Sequence, residues 1–399
     1  MTYLQEHGTR RRWLGFGLVG LLGAAMVTST LLQGALGVLS RFILDDFGIT
    51  RSQFGFVFAA YSLVGGLSAL YIGTLADRNS RGVLMGLFAA AGFAAVGAAF
   101  SPTYLLLVVA ILFGGLALGA GNPVTNRIVA QHISMRRRGL VIGIKQAGPP
   151  FGIFLAGIAL PAIAVATNWR VALSTAVLLP VVGLLGTYLL VPGEPSDRPA
   201  PSKVSDLDDK VRFVVRWLTF IGFSVGFTNS VATAFLPLFA QEDLALSPTL
   251  AGVVAAIMGL AGVAGRIVWG AVGRSFERPS TALLIIAGFS AASFASIALS
   301  AAFGIPWLWA GAIGSGVSVL AWHAVAWLVI VDRVDVAAIG RASGMMHMGS
   351  TFGFAAGAPL AGLLLDASDS YTLMWGLLAV AMVGVTAMTA RFRVTATRR

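Results

Sequence analysis

The chain has no cysteine among its 399 residues, and only 11% of it is charged. Without thiols there are no disulfides, thiolate nucleophiles or thiolate metal sites, so the usual redox clues to compartment are missing. Scarce charge excludes more. Soluble domains carry about 25% Asp, Glu, Lys and Arg, whereas here 57% of residues are hydrophobic and charge is too thin to solvate a surface of this size. The sequence also lacks a P-loop and any clustered set of His, Asp and Glu, which argues against an enzyme, a metal or another cofactor. Acidic residues are the rarer sign, 16 against 27 Lys and Arg, for a net charge of +11. In a soluble protein that excess suggests nucleic acid; in a bilayer it orients the chain.

What is present is a series of long apolar runs. Arg10, Arg11 and Arg12 precede an uncharged stretch from Trp13 to Ser40. That stretch is longer than a signal-peptide core and has no small-residue cleavage site near its end, so a retained span is expected. Apolar runs of about 20 residues recur twelve times, centred near residues 27, 62, 91, 115, 152, 181, 227, 260, 291, 318, 353 and 380. All twelve are expected to be helices, because an open sheet cannot satisfy its backbone in lipid. Of the 27 basic residues, 22 then fall in loops and tails on one side, while Arg41, Arg51 and Arg170 fall on the other. Lys145 and Arg266 lie inside spans. The bias predicts a multi-pass protein of the plasma (inner) membrane with both termini cytoplasmic, partnered by lipid and not by nucleic acid.

Residues 192–212 (PGEPSDRPAPSKVSDLDDKVR) are too polar to insert and too short of apolar groups to build a core. They divide the chain into an N-terminal six-helix unit, residues 1–191, and a C-terminal one, residues 213–399. The units are related. A shift of 197 aligns Ile49, Thr50, Ser52, Gly55, Gly73 and Arg81 with Leu246, Ser247, Thr249, Gly252, Gly270 and Arg278. A shift of 201 aligns Gly139, Gly143, Gly148, Phe151 and Gly152 with Gly340, Gly344, Gly349, Phe352 and Gly353. Duplicated halves place a transporter's site at the repeat interface. Thr50 with Gln53 predicts a capping box, and Ser247 with Pro248 an N-cap followed by Pro at N1, each at the start of a span.

Gly73-Thr-Leu-Ala-Asp77-Arg78-Asn-Ser-Arg81-Gly82 resembles the cytoplasmic signature of the major facilitator superfamily, G-x-L-a-D-R-x-G-R-[RK], with Ser80 and Gly82 departing from it. The resemblance implies an all-α membrane fold of two pseudo-symmetric six-helix bundles. It implies also that Gly73 admits the neighbouring helix of the other half, while Asp77, Arg78 and Arg81 form a latch that favours the outward-facing state. In the second half the copy Gly270-Ala-Val-Gly273-Arg274-Ser-Phe-Glu277-Arg278 has lost the Asp. Gly143-Ile-Lys145-Gln146-Ala-Gly148-Pro149-Pro150-Phe-Gly152 resembles the fifth helix of cyanate permease-like members, and Ala321-Trp322-His323-Ala324 a Gly-Trp-Asn-Gly segment of the same group. Gly148-Pro149 and Gly152 also resemble the antiporter motif of drug exporters, with Ile153 in place of its last Gly.

A cation at a span's centre costs a few kcal/mol and calls for a partner. Lys145 shares a face with Gly148, Pro149, Gly152 and Ala156, and Arg266 with Gly259, Gly262, Gly270 and Gly273. Small-residue stripes mark helix contacts, so neither cation is expected to face lipid. No Asp or Glu falls inside a span, and a guanidinium offers a planar fork suited to a carboxylate. Arg266 also resembles in position the helix 8 arginine of monocarboxylate and oxalate/formate carriers. The alternative is that Lys145 snorkels to headgroups and Arg266 bonds backbone carbonyls at a helix end.

The expected activity is secondary transport of a small organic or pseudohalide anion, with a proton or counter-anion as coupling partner, by a monomer. Arg266, Lys145, His323, His347, Gln146, Asn126, Trp322, Trp327, Tyr61, Asn229 and Gln33 are the candidate substrate contacts. Gly73, Asp77, Arg78, Arg81, Gly148, Pro149, Gly152 and Gly270 are the candidate gating residues. By the repeat, His323 is equivalent to Asn122 and His347 to Gln146; the two histidines are the groups suited to proton coupling in the membrane. Efflux of lipophilic or cationic compounds is the rival expectation.

Overall fold

The structure, a computed structural model, describes residues 2–192, 209–273, 276, 279–333 and 339–395. They form helices α1 (Thr2–Val38), α2 (Ser40–Phe47), α3 (Arg51–Arg78), α4 (Ser80–Ala99), α5 (Tyr104–His132), α6 (Met135–Gln146), α7 (Gly148–Ala166), α8 (Trp169–Thr175), α9 (Leu178–Leu190), α10 (Asp209–Glu242), α11 (Pro248–Val272), α12 (Pro279–Phe303), α13 (Ile305–Ser318), α14 (Trp322–Arg333), α15 (Ile339–Ser368) and α16 (Tyr371–Thr395). Eleven stretches are long and apolar enough to cross a membrane, and α3, bent between Ala69 and Tyr71, makes twelve. Three spans are built from two helices each: α6 with α7, α8 with α9, and α13 with α14. Most of the linker expected at 192–212 lies outside the described residues, and α10 is already helical at Asp209.

Local chemistry sets the helix starts. Thr50 Oγ1 accepts from Gln53 N while Thr50 N donates to Gln53 Oε1, a complete capping box on α3. Asn79 caps α4 by accepting from Gly82 N at 2.7 Å, Asn168 caps α8 by accepting from Val171 N, and Ser247 caps α11 ahead of Pro248. Gly48, at φ +60°, ends α2 in the left-handed region that a Cβ disfavours.

The two halves meet along two seams, α3 against α15 and α7 against α11, with α1 against α10 between them. Lipid gives apolar helices no hydrophobic reason to associate, so close contact rests on small residues. A Cβ on Gly252 would fall 2.5 Å from the carbonyl oxygen of Gly157, and one on Gly157 would strike Gly252 O in return. Gly37 meets Thr233 O, Gly55 meets Ala358 and Gly362 meets Arg51 in the same backbone-to-backbone manner.

At the end of the bundle where α3 begins, charged groups join the halves. Arg51 donates to Glu242 Oε2 through Nε and Nη2, at 3.2 and 2.9 Å, and to Asp369 Oδ1 at 3.0 Å. The carboxylate of Asp366 accepts from the backbone N–H groups of Arg51 and Ser52, both at 3.0 Å, the favourable place for an anion at a helix N-terminus. Tyr371 donates to Glu242 at 2.7 Å, and Arg41 reaches Gln241 O at 3.4 Å.

Candidate functional site

The site starts from two helix breaks. Pro149 and Pro150 have no N–H, so the carbonyls four residues earlier, of Lys145 and Gln146, lose their helical donors, and α6 stops at Gln146. Phe151 N, donating to Ala147 O at 3.2 Å, restarts the ladder in α7. In the tenth span Ala324 N bonds Ala321 O at 3.0 Å, a turn too tight to reach Leu320 O. Carbonyls freed inside a membrane need donors. Arg266, on α11, supplies two of the three: Nε donates to Leu320 O at 2.8 Å and Nη1 to Gln146 O. One guanidinium thus spans the breaks of both helices and ties the C-terminal half to the N-terminal half.

Lys145 is completely buried at the end of α6. Its Nζ donates to Thr125 Oγ1 at 3.0 Å and to Asn122 Oδ1 at 3.3 Å, and Gln146 Nε2 donates to the same Asn122 oxygen at 3.0 Å. None of the ion pairs among the described residues involves Lys145 or Arg266. Both cations are held by uncharged groups: Lys145 is buried and does not reach outward, whereas Arg266 bonds backbone carbonyls at helix ends, the alternative expected for it from the sequence.

The repeat recurs in the site. In the N-terminal half Asn122 and Gln146 bridge α5 to α6. Their equivalents, His323 on α14 and His347 on α15, have ring centroids 6.4 Å apart in the C-terminal half. His323 packs against Trp322 with centroids at 4.5 Å, within electrostatic reach of Arg266. The two pairs are the same junction furnished with amides on one side and imidazoles on the other.

Other candidates distribute unevenly. His347 and Asn126 are exposed, and Gln33, Trp327 and Asn229 are half-buried, Asn229 accepting from Thr233 at 3.2 Å. Tyr61 and Trp322, expected as substrate contacts, are core residues instead, each 1% exposed. Tyr61 donates to Ser29 O at 2.5 Å, and the Trp322 indole fills the space beside Gly222. A large aromatic side chain suits a core when its polar edge finds a partner, as the Tyr61 hydroxyl does.

Among the gating candidates, Gly73 lies away from the other half in this form. It meets only Pro123 of its own half, at 3.9 Å, and the approach to α15 is made by Gly55 and Gly66, nearer the Arg51 end. Asp77 pairs with Arg127 at 3.5 Å inside the N-terminal half, Arg81 donates to Tyr188 O at 3.1 Å, and Arg78 is exposed. Gly148 and Gly152 seat α7 against Met26, Val27 and Leu31 of α1, with Pro149 half-buried beside them; Gly270 has open space around it. Arg274, Glu277 and Arg278 of the second copy lie outside the described residues.

Sequence reasoning missed Thr125 as the closest partner of Lys145, and the cluster around Arg51. Thr125 stood three residues after Asn122, on the same helical face, which was signal enough. The Arg51 partners follow it by 191, 315 and 318 residues and leave no local pattern.

The Major Facilitator Superfamily model matches residues 21–338 and 218–399. The hexuronate transporter of Bacillus subtilis is 26% identical over 384 residues, covering 87% of each chain. The probable L-galactonate transporter of Escherichia coli is 25% identical over 323 residues, covering 74% of this chain and 71% of the relative. In fold, a bacterial homologue of the human lysosomal transporter Spinster, solved in an inward-facing and occupied conformation, superposes with a TM-score of 0.72 over 97% of each chain at 16% identity. The eleven or twelve apolar spans and these matches agree: the chain is a multi-pass membrane transporter that belongs to the Major Facilitator Superfamily.

Proposed function

We propose that the protein is a secondary carrier of small organic anions, hydroxylated carboxylates foremost, working by alternating access between the two halves. The observation that carries this is the pair of intramembrane cations, Arg266 and Lys145, whose described partners are all uncharged. A carboxylate supplies the missing negative charge. Relatives named for hexuronate and L-galactonate support the class. Asn122 and Gln146 beside Lys145, and the neighbouring pair His323 and His347, offer groups that donate to and accept from hydroxyls. With the basic loops cytoplasmic, the Arg51 end faces outward and is closed in this form; the carrier works in a plasma membrane, as a monomer. His323 and His347 are the groups through which a proton would be coupled; otherwise the carrier exchanges its substrate for a counter-anion.

Thermal-shift titration of the purified full-length chain with glucuronate, galactonate, gallate and lipophilic drug cations tests the reading, with Arg266→Ala in parallel. Stabilisation by an anion, lost in Arg266→Ala, is expected. Stabilisation by the cations alone would replace anion transport with efflux, and an anion effect untouched by the substitution would remove Arg266 from the site.

A further inference from the structure

We propose that the Gln146 carbonyl is a built-in competitor of the substrate for Arg266, so that anion occupancy and the tie between the halves exclude one another. This rests on the anion-carrier reading above but concerns what the site does when empty. The carbonyl is available only because Pro150 has no N–H to offer it. The carbonyl is on the N-terminal half and the guanidinium on the C-terminal half, so their bond closes the α6–α11 side of the interface. Arg266 Nε is engaged separately by Leu320 O within its own half, and that bond holds the guanidinium in place whichever partner Nη1 takes.

An arriving carboxylate has the advantage for the outer edge of the fork. A guanidinium–carboxylate pair is charge-assisted and bidentate, roughly twice as strong as a bond to a neutral carbonyl. Taking that edge releases Gln146 O, and with it the cross-half tie. A ligand shifts an equilibrium only by binding one state better than the other, and here the better-binding state is the untied one. The converse also holds: the tie lowers apparent affinity by the fraction of molecules in which it is made.

The two prolines separate this from a merely structural break. Pro150→Ala restores an N–H aimed at Gln146 O, one step before the Phe151 bond that opens α7. Pro149→Ala restores one aimed at Lys145 O and leaves Gln146 O free for Arg266. The chain has no native cysteine, so spin labels can be placed directly, at Leu140→Cys on α6 and Val272→Cys on α11, both exposed positions. Without ligand, the label distance should lengthen in Pro150→Ala and in Arg266→Ala and stay as in the parent in Pro149→Ala. Glucuronate or galactonate should lengthen it in the parent, and should bind Pro150→Ala several-fold more tightly.

A Pro150→Ala distance unchanged from the parent, or lengthened equally by Pro149→Ala, overturns the inference. So does a ligand that binds through Arg266 without moving the labels. If neither anion binds the parent, the substrate reading fails, while the ligand-free distances still decide whether the tie exists.

Discussion

Glu242 holds Arg51 through a single oxygen, which accepts from both Nε and Nη2 and so fastens the start of α3 to the end of α10. Both side chains are about one-quarter exposed, 26% and 25%, so the pair is only partly solvated. Removing a charge-assisted bond of this kind costs about 1.5 kcal/mol, or roughly a tenfold change in population. Arg51→Ala should move the carrier by that much towards opening at this end. Glu242→Ala should do the same, and the double variant should add little. Alkylation of a cysteine placed in α10 near Asn229 is the readout; additive effects of the two substitutions would show that the bond is not the fastener.

Asp243 lies just past α10. Partial burial first, then the charges of Asp369 and Glu242, push its carboxyl above the ordinary carboxylate range. An acid whose value is raised by folding destabilises the folded form above that value and has no effect below its unfolded value, about 3.9. Asp243→Asn should therefore raise the thermal midpoint slightly at pH 7, and the gain should disappear as the pH falls to about 3.9. A gain that persists at low pH would point to a cause other than charge.

Gly157 and Gly252 bring α7 and α11 together at backbone distance. A Cβ at Gly157 would also come 2.7 Å from Ala256 N, so Gly157→Ala must push the helices apart, at about 1–3 kcal/mol. Gly143, where an added methyl would meet nothing within 4 Å, is the control. Detergent unfolding curves should drop for the first and hold for the second.

Tyr61 is a core tyrosine whose hydroxyl serves Ser29 O. Tyr61→Phe removes one buried bond, about 0.5–1.5 kcal/mol, and should lower stability without changing substrate affinity. An altered affinity at unchanged stability would return Tyr61 to the site.

Asn122 and Gln146 show what the other half's junction can be made of. Substituting their equivalents together, His323→Asn with His347→Gln, should fold with a midpoint close to the parent's. If the imidazoles couple a proton, transport by the variant loses its dependence on pH. An unaltered pH profile in proteoliposomes assigns the coupling elsewhere.

Much of this architecture was legible because membranes write it in composition. Apolar run length gave the spans, twelve when the bent α3 counts as one. Thr50 and Ser247 marked helix starts because capping is chemistry between residues three apart. Arg266 and Lys145 stood out because lipid makes charge conspicuous. Tyr61 and Trp322 were misplaced because an aromatic ring in a span looks the same from the sequence whether it lines a cavity or fills a core. The Arg266 acceptors were half-visible: Pro149-Pro150 announced freed carbonyls, but nothing local said which side chain would come for them.

The two ties between the halves differ in their exposure to the ionic strength of the medium. Around Arg51 the fastening is made of partly solvated charges, and counter-ions at 0.15 M screen such charges over about 8 Å. The bond from Arg266 to Gln146 pairs a charge with a carbonyl inside a span, where ions do not follow. Added salt should therefore loosen one end of the carrier and leave the other as it was, so the ionic strength at the Arg51 end becomes a bias on which way the empty protein faces.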